Sequence, residues 1–218
     1  MMGLVVISDG RIEYLRQCLD SMRHRLLGPV HQGWIVLDEP EAREAAGAEA
    51  EAIGFKLIAN PARSGLSGIV QTAWRAALEE PIEYLFHLEE DFTFNQPIEL
   101  QALREVLDAD ERIAQVVLKR QPWSDAEVAA GGIVELHPRL YLDATVGGQE
   151  VALHKRGFSK NPCLMPRRIF ARPFPDGGEG AFGDELIAAG YHFAFWGSQK
   201  AAPVITHIGE RRSAGWKR

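Results

Sequence analysis

Along roughly the first ninety residues the apolar positions switch between runs and helical spacing. Leu4-Val5-Val6-Ile7 is a short β-branched run that stops at Ser8-Asp9-Gly10, a turn signal. Ile12, Leu15, Leu19, Met22 and Leu26 then recur at steps of three and four, which describes one buried helix face, and Gly28-Pro29 ends it. Trp34-Ile35-Val36-Leu37 predicts a second strand, broken at Asp38-Glu39-Pro40. Residues 41–53, rich in alanine and glutamate, predict a surface helix of high propensity. Residues 55–59 predict a third strand that stops at Asn60-Pro61, and Leu66, Ile69, Val70, Ala73, Trp74, Ala77 and Leu78 have helical spacing. The nearly continuous apolar run 84–88 is what the centre of a parallel sheet requires.

The later pattern is less regular. It predicts a helix over 98–107, a strand over 114–118, a loop or short helix over 121–132, and a strand over 133–142 broken around Pro138. A glycine-rich segment, 175–180, should precede a helix through Leu186, Ile187 and Ala188 that Gly190 closes. Residues 191–196 and 204–207 predict the last strands. No repeat, low-complexity tract or Pro/Ser-rich linker interrupts the chain, so one unit over 1–218 is expected.

This alternation of strands and helices predicts an α/β fold: a Rossmann-like, mostly parallel sheet flanked by helices, with right-handed crossovers. Ligands bind such sheets beyond the carboxyl ends of the strands. Those ends carry Ser8-Asp9, Asp38-Glu39, Asn60 and Glu89-Glu90-Asp91. Asp and Asn favour turns and helix caps in any protein. That preference accounts for one or two of the four sites, but not for three consecutive acids after the most apolar strand. Crowded carboxylates repel unless a cation or protons compensate them. A divalent metal held by oxygen, its other positions filled by substrate phosphates, is the chemistry that fits. Alternation along an extended segment would put Glu89 and Asp91 on one side and Glu90 on the other. Asp91 is the expected direct ligand, with Glu89 binding directly or through water.

Composition narrows the partners. The chain has 218 residues, 46% hydrophobic and 25% charged, with a net charge of −6, the profile of an ordinary globular protein. The acidic balance argues against a broad nucleic-acid footprint, which needs clustered Lys and Arg. A local basic group does close the chain, Arg211, Arg212, Lys217 and Arg218, with Trp216 among them. The two cysteines, Cys18 and Cys163, imply reduced, partly buried thiols rather than a disulfide framework. With no signal-peptide pattern and no run of membrane-spanning length, a cytoplasmic location is expected.

Ile7-Ser8-Asp9-Gly10-Arg11 with Tyr14 to Ser21, and Trp74 to Leu78 with Leu85 to Phe92, resemble the GT-A glycosyltransferases. The likeness is to the family 2 enzymes and the inverting N-acetylglucosaminyltransferases of glycoprotein synthesis. Their metal motif is usually D-x-D or E-D-D; this chain has E-E-D, a conservative departure at the first two positions. The resemblance implies a single GT-A domain, with residues 1–120 as the donor half and 121–218 as the acceptor and base half. It implies transfer of a hexosyl or N-acetylhexosaminyl group from a nucleoside diphosphate sugar, UDP-linked by the likeness, to an acceptor hydroxyl with inversion, using Mn²⁺ or Mg²⁺. Ser8, Arg11 and Glu90 would lie near the donor, and Asp38 would face the base and ribose. The loop from Asn60 through Arg63, Ser64, Gly65 and Ser67 resembles the one opening the third helix. Its small residues would let backbone N–H groups approach phosphate, with Arg63 adding a charge-assisted bond. Lys160 to Arg168 resembles the acceptor-side segment, and Gly178 to Leu186 the region of the general base. Glu179 is the first choice for that base, from its place in the glycine run, and Asp184 the second. His207, after the last strand, would complete the metal site, imidazole being acceptable to Mn²⁺-like ions.

Two other functions use similar parts. A sugar-1-phosphate nucleotidyltransferase also pairs an α/β sheet with a divalent metal, but an early glycine-rich signature followed by Arg and Lys is missing here. A non-catalytic nucleotide-sugar or glycan-binding module is the other. The acceptor stays open among a saccharide, a protein, a small molecule and a hydroxymethylated base in DNA, the last kept by the basic terminal group and Trp216.

Overall fold

A computed structural model describes residues 1–209, so Arg211, Arg212, Trp216, Lys217 and Arg218 lie outside the described residues. In chain order the elements are β1 (Met2–Ser8), α1 (Ile12–Arg25), β2 (Leu26–Leu27), β3 (Gln32–Leu37), α2 (Arg43–Ala52), β4 (Lys56–Ala59), α3 (Gly65–Leu78) and β5 (Tyr84–Glu89). There follow β6 (Phe92–Phe94), β7 (Ile98–Glu99), α4 (Leu100–Ala109), β8 (Ile113–Val117), α5 (Asp125–Ala130) and α6 (Ile133–Leu136). The chain continues through β9 (Tyr141–Val146), β10 (Gln149–His154), β11 (Cys163–Pro166), α7 (Arg167–Phe170), α8 (Gly178–Ala188), β12 (His192–Trp196) and β13 (Ile205–His207).

Nine strands form one sheet in the order β4-β3-β1-β5-β11-β8-β12-β10-β9. The four N-terminal strands are parallel, as their apolar runs require. Beyond β5 the sheet is mixed: β11 runs antiparallel to both β5 and β8, β12 is parallel to β8, and β10 and β9 form an antiparallel edge. Alternation along each strand feeds two apolar layers. Leu4, Val6, Phe86 and Leu88 face α1, α2 and α4, whereas Val5, Ile7 and Leu85 face α3, α7 and α8. In the second layer Trp74 packs edge-on against Phe174, at 5.3 Å between ring centres, and against Phe158, with the Phe182 ring tilted beside it.

Several segments depart from the sequence expectations, the unmarked β9–β10 hairpin among them. The strand expected over 133–142 is the helix α6 and a 3-10 turn, Pro138–Leu140, with strand structure only from Tyr141. Pro138 has no N–H to give to a ladder, so the chain turns before entering the sheet. The helix expected after the glycine run starts inside it, at Gly178, so Glu179 lies in the first helical turn rather than in a flexible loop. Strand β11, unmarked in the apolar pattern, is only four residues long and wholly buried between β5 and β8. Among the described residues no helix is long and apolar enough to cross a membrane. Both cysteines are free and buried.

Candidate active site

The carboxyl ends of β1 and β5 lie side by side, joined by the Glu90 N–H donating to the Ile7 carbonyl. Extended structure stops at Glu89, so Glu90 and Asp91 occupy a turn and strand alternation no longer governs them. Both therefore reach the same cation, Arg11. Gly10, at φ +94°, makes the sharp exit from β1 that brings Arg11 back over the strand ends. Arg11 Nε donates to Asp9 Oδ1 at 2.7 Å and to Glu90 Oε1 at 2.8 Å, and its Nη2 donates to Asp91 Oδ2 at 2.7 Å. Burial opposes the guanidinium charge, but the bonds to Asp91 and Asp9 outweigh it and hold Arg11 above its ordinary pKa. Burial, reinforced by neighbouring Asp9, pushes the Glu90 carboxyl up to about 9, although the Ser8 hydroxyl bond and Arg11 pull the other way.

His207 arrives from the far end of the sequence. Strand β13 pairs antiparallel with β6, setting His207 opposite Phe92, and the Ile208 N–H donates to the Asp91 carbonyl at 2.8 Å. The His207 Nε2 is 3.5 Å from Asp91 Oδ2. Its ring stands edge-on to Phe92 and lies 4.0 Å, centre to centre, from Trp123. The Gln121 side chain clamps the His207 backbone, donating to its carbonyl and accepting from its N–H at 2.9 Å each. Gly209 closes the corner: a Cβ there would come within 2.6 Å of Asp91 Oδ2 and 2.8 Å of His207 Cε1.

These groups line a cavity of about 290 Å³ that runs from Leu66 and Ile69 on α3, past Ser8, Asp9, Arg11 and the acidic turn, to Trp123, Lys160 and His207. Asp91 Oδ1 is buried with no hydrogen-bond partner, a state that costs stability unless something pairs with it. One carboxylate and one imidazole suit a Mn²⁺-like ion. Among the described residues no three His, Cys, Asp or Glu side chains are grouped to hold a metal alone. The fit is therefore a two-residue site, Asp91 and His207, whose other positions would fall to diphosphate and water oxygens.

Glu89 points elsewhere. Lys160 Nζ lies 3.9 Å from Glu89 Oε1 and 3.3 Å from Glu179 Oε2, an ammonium between two carboxylates. Burial pushes Glu89 up to about 7, against the pull of Lys160. Glu179 adjoins the cavity through Lys160 rather than lining it, and Asp184 is exposed on α8. The loop before α3 is built around buried Asp38. Its Oδ1 accepts from Asn60 Nδ2, the Ser64 N–H and the Ser64 hydroxyl at 2.7–2.9 Å, and its Oδ2 accepts from the Gly65 N–H. Asp38 thus organises the loop, and none of Asp38, Asn60, Ser64, Gly65 or half-buried Ser67 lines the cavity. Arg63 is exposed and pairs with Glu39.

No family model matches the sequence, and no curated protein matches it. Solved structures do. The mannosyltransferase PcManGT from Pyrobaculum calidifontis, in complex with GDP-Man and Mn²⁺, matches over 97% of this chain and 58% of its own at a TM-score of 0.65 and 15% identity. GalNAc-T7 with UDP, GalNAc and Mn²⁺ matches over 96% of this chain and 44% of its own, also at 0.65, with 14% identity. The chain has the GT-A glycosyltransferase fold.

Within the GT-A frame, the structure brings together Ser8, Arg11, Glu89, Glu90, Asp91 and His207 at one cavity and leaves the α3 loop and Asp184 outside its walls. Trp123 and Gln121 carried no expectation from the sequence, and Lys160 was marked only as the start of the segment resembling the acceptor side. Trp123 and Gln121 sit in a segment with no apolar period, and Lys160 lies in an irregular stretch before β11. An aromatic and an amide beside a proline, 121–123, were the available signal.

Proposed function

We propose that the chain is a metal-dependent glycosyltransferase that moves a sugar from a nucleoside diphosphate sugar to an acceptor hydroxyl. The observation that carries this reading is the meeting of Asp91 and His207, 3.5 Å apart, at the carboxyl rim of the parallel strands, with Asp91 Oδ1 buried and unpartnered. That rim is where α/β sheets bind ligands, and the two neighbouring structures contain Mn²⁺, one with GDP-Man and one with UDP. The two nucleotides differ, so the choice of a uridine donor rests on the sequence resemblance alone.

A divalent cation held by Asp91 and His207 would neutralise charge on the leaving diphosphate. The chain's own residues supply the rest. Arg11 offers the diphosphate a fork of N–H donors. Leu66 and Ile69 give the cavity an apolar wall on the α3 side. Glu179, joined to the cavity by Lys160, is the proposed base for the acceptor proton. Trp123 lines the cavity beside His207, its ring tilted against the imidazole, and offers the sugar or the acceptor an aromatic face.

The test is a thermal-shift screen of UDP- and GDP-sugars with and without Mn²⁺, followed by assay of donor turnover. A metal-dependent rise in Tm with at least one donor is expected, and Asp91→Ala should abolish both the shift and turnover. Unchanged melting with every donor and metal would sink the proposal.

A further inference from the structure

Arg11 already occupies one of the two oxygens of the carboxylate that a divalent cation would need. Of the two Asp91 oxygens, Oδ2 accepts from Arg11 Nη2 at 2.7 Å and is also the one nearest His207 Nε2. A cation bound between Asp91 and His207 would therefore sit against the guanidinium, and two positive charges sharing one carboxylate oppose each other. The guanidinium is not loosely placed. Its Nε is shared by Asp9 and Glu90 at 2.7 and 2.8 Å, and its Cζ lies over the Tyr14 ring, 4.8 Å from the ring centre. The Asp91 contact is the only one of the three carboxylate bonds made through Nη2. Its loss would leave the guanidinium still bonded to Asp9 and Glu90 through Nε. A diphosphate entering the same cavity would offer the freed N–H groups phosphate oxygens in the planar, two-point geometry that arginine favours.

We propose that Arg11 and the divalent cation compete for Asp91, and that a donor diphosphate ends the competition by drawing the Arg11 fork away, so that metal and donor load together. This rests on the glycosyltransferase reading above. It makes Arg11 the group that keeps the acidic turn neutralised before the substrate arrives and a diphosphate ligand afterwards. Metal binding and diphosphate binding are then thermodynamically coupled through one side chain, and the coupling is reciprocal.

Titration with Mn²⁺ alone, read by the electron paramagnetic resonance of the free ion, tests this on the wild-type protein and on Arg11→Gln, Tyr14→Leu and Asp91→Asn. The titrations are repeated with UDP and with GDP. Arg11→Gln is expected to bind Mn²⁺ alone roughly tenfold more tightly than wild type, and the gain from the nucleotide should shrink by a similar factor. Tyr14→Leu loosens the guanidinium without removing its charge, so it should move in the same direction by less. It also guards against a misfolded Arg11→Gln, whose circular dichroism is checked in parallel. Equal or weaker Mn²⁺ binding in both variants, with Asp91→Asn still abolishing it, overturns the competition and leaves the metal site standing. Mn²⁺ that binds wild type and Asp91→Asn alike removes the metal site and this inference with it.

Discussion

Burial sets the charge state of single residues in this protein in two opposite senses. Glu90 sits among Asp9, Ser8 and Arg11, and burial first, then neighbouring Asp9, pushes its carboxyl up to about 9. His154 is the converse case. It is 7% exposed and packed among Tyr141, Phe193 and Phe195. Burial first, and then the charges of Arg156 and His192, lower it to about 4. Because the folded value is depressed, the unfolded chain binds more protons in mild acid. The stabilisation is whole above the ordinary histidine pKa of about 6.5 and is lost as pH falls towards about 4. Denaturant unfolding should therefore show a loss of about 2 kcal/mol between pH 7 and pH 5 from this group. His154→Phe, which keeps the ring volume, should flatten that part of the profile; an unchanged slope would refute the assignment. At this scale the sequence singled out Asp91 as a candidate, because three acids after an apolar strand have few structural explanations. It could not show that Arg11 gathers Asp9, Glu90 and Asp91, since that depends on how the chain turns at Gly10 and after Glu89.

Elements decide which acidic side chain can act as a base. Helix α8 begins at Gly178, which places Glu179 in its first turn, next to Lys160, and Asp184 on an exposed face. An acid near a helix N-terminus is also favoured by the dipole, so position alone does not assign a role. The two variants separate the cases. Glu179→Gln should lower transfer by about 100-fold or more while Mn²⁺-dependent donor binding persists, and Asp184→Asn should leave initial rates unchanged. Full activity in Glu179→Gln would move the base elsewhere, with Glu89, the other carboxyl facing Lys160, next in line. The helical patterns of α1, α3 and α4 were readable because each buries one face. Strand β11 and the β9–β10 hairpin were not. Four residues are too few to show a period, and an edge strand with exposed Leu142 lacks the clean alternation of a half-buried one.

For the whole molecule, the inserted strand has the larger consequence. Because β11 lies between β5 and β8, the N-terminal parallel strands and the later strands belong to one hydrogen-bonded sheet with continuous apolar layers on both faces. Far-UV and near-UV circular dichroism should therefore report one coincident urea transition for the sheet, and two separate midpoints would show that the halves unfold independently. The parallel run from β1 to β5, its covering helices and the polar rim at its carboxyl ends followed from the sequence alone, since burial on two faces demands unbroken apolar strands and amphipathic helices. The tertiary structure alone decided that β13 pairs with β6 and carries His207 to Asp91, that Lys160 stands between Glu89 and Glu179, and that Arg11 holds the acidic turn. The physical reason is range. Hydrophobic period records what each residue's immediate surroundings must be, whereas the meeting of distant segments depends on strand order and register, which no local pattern states.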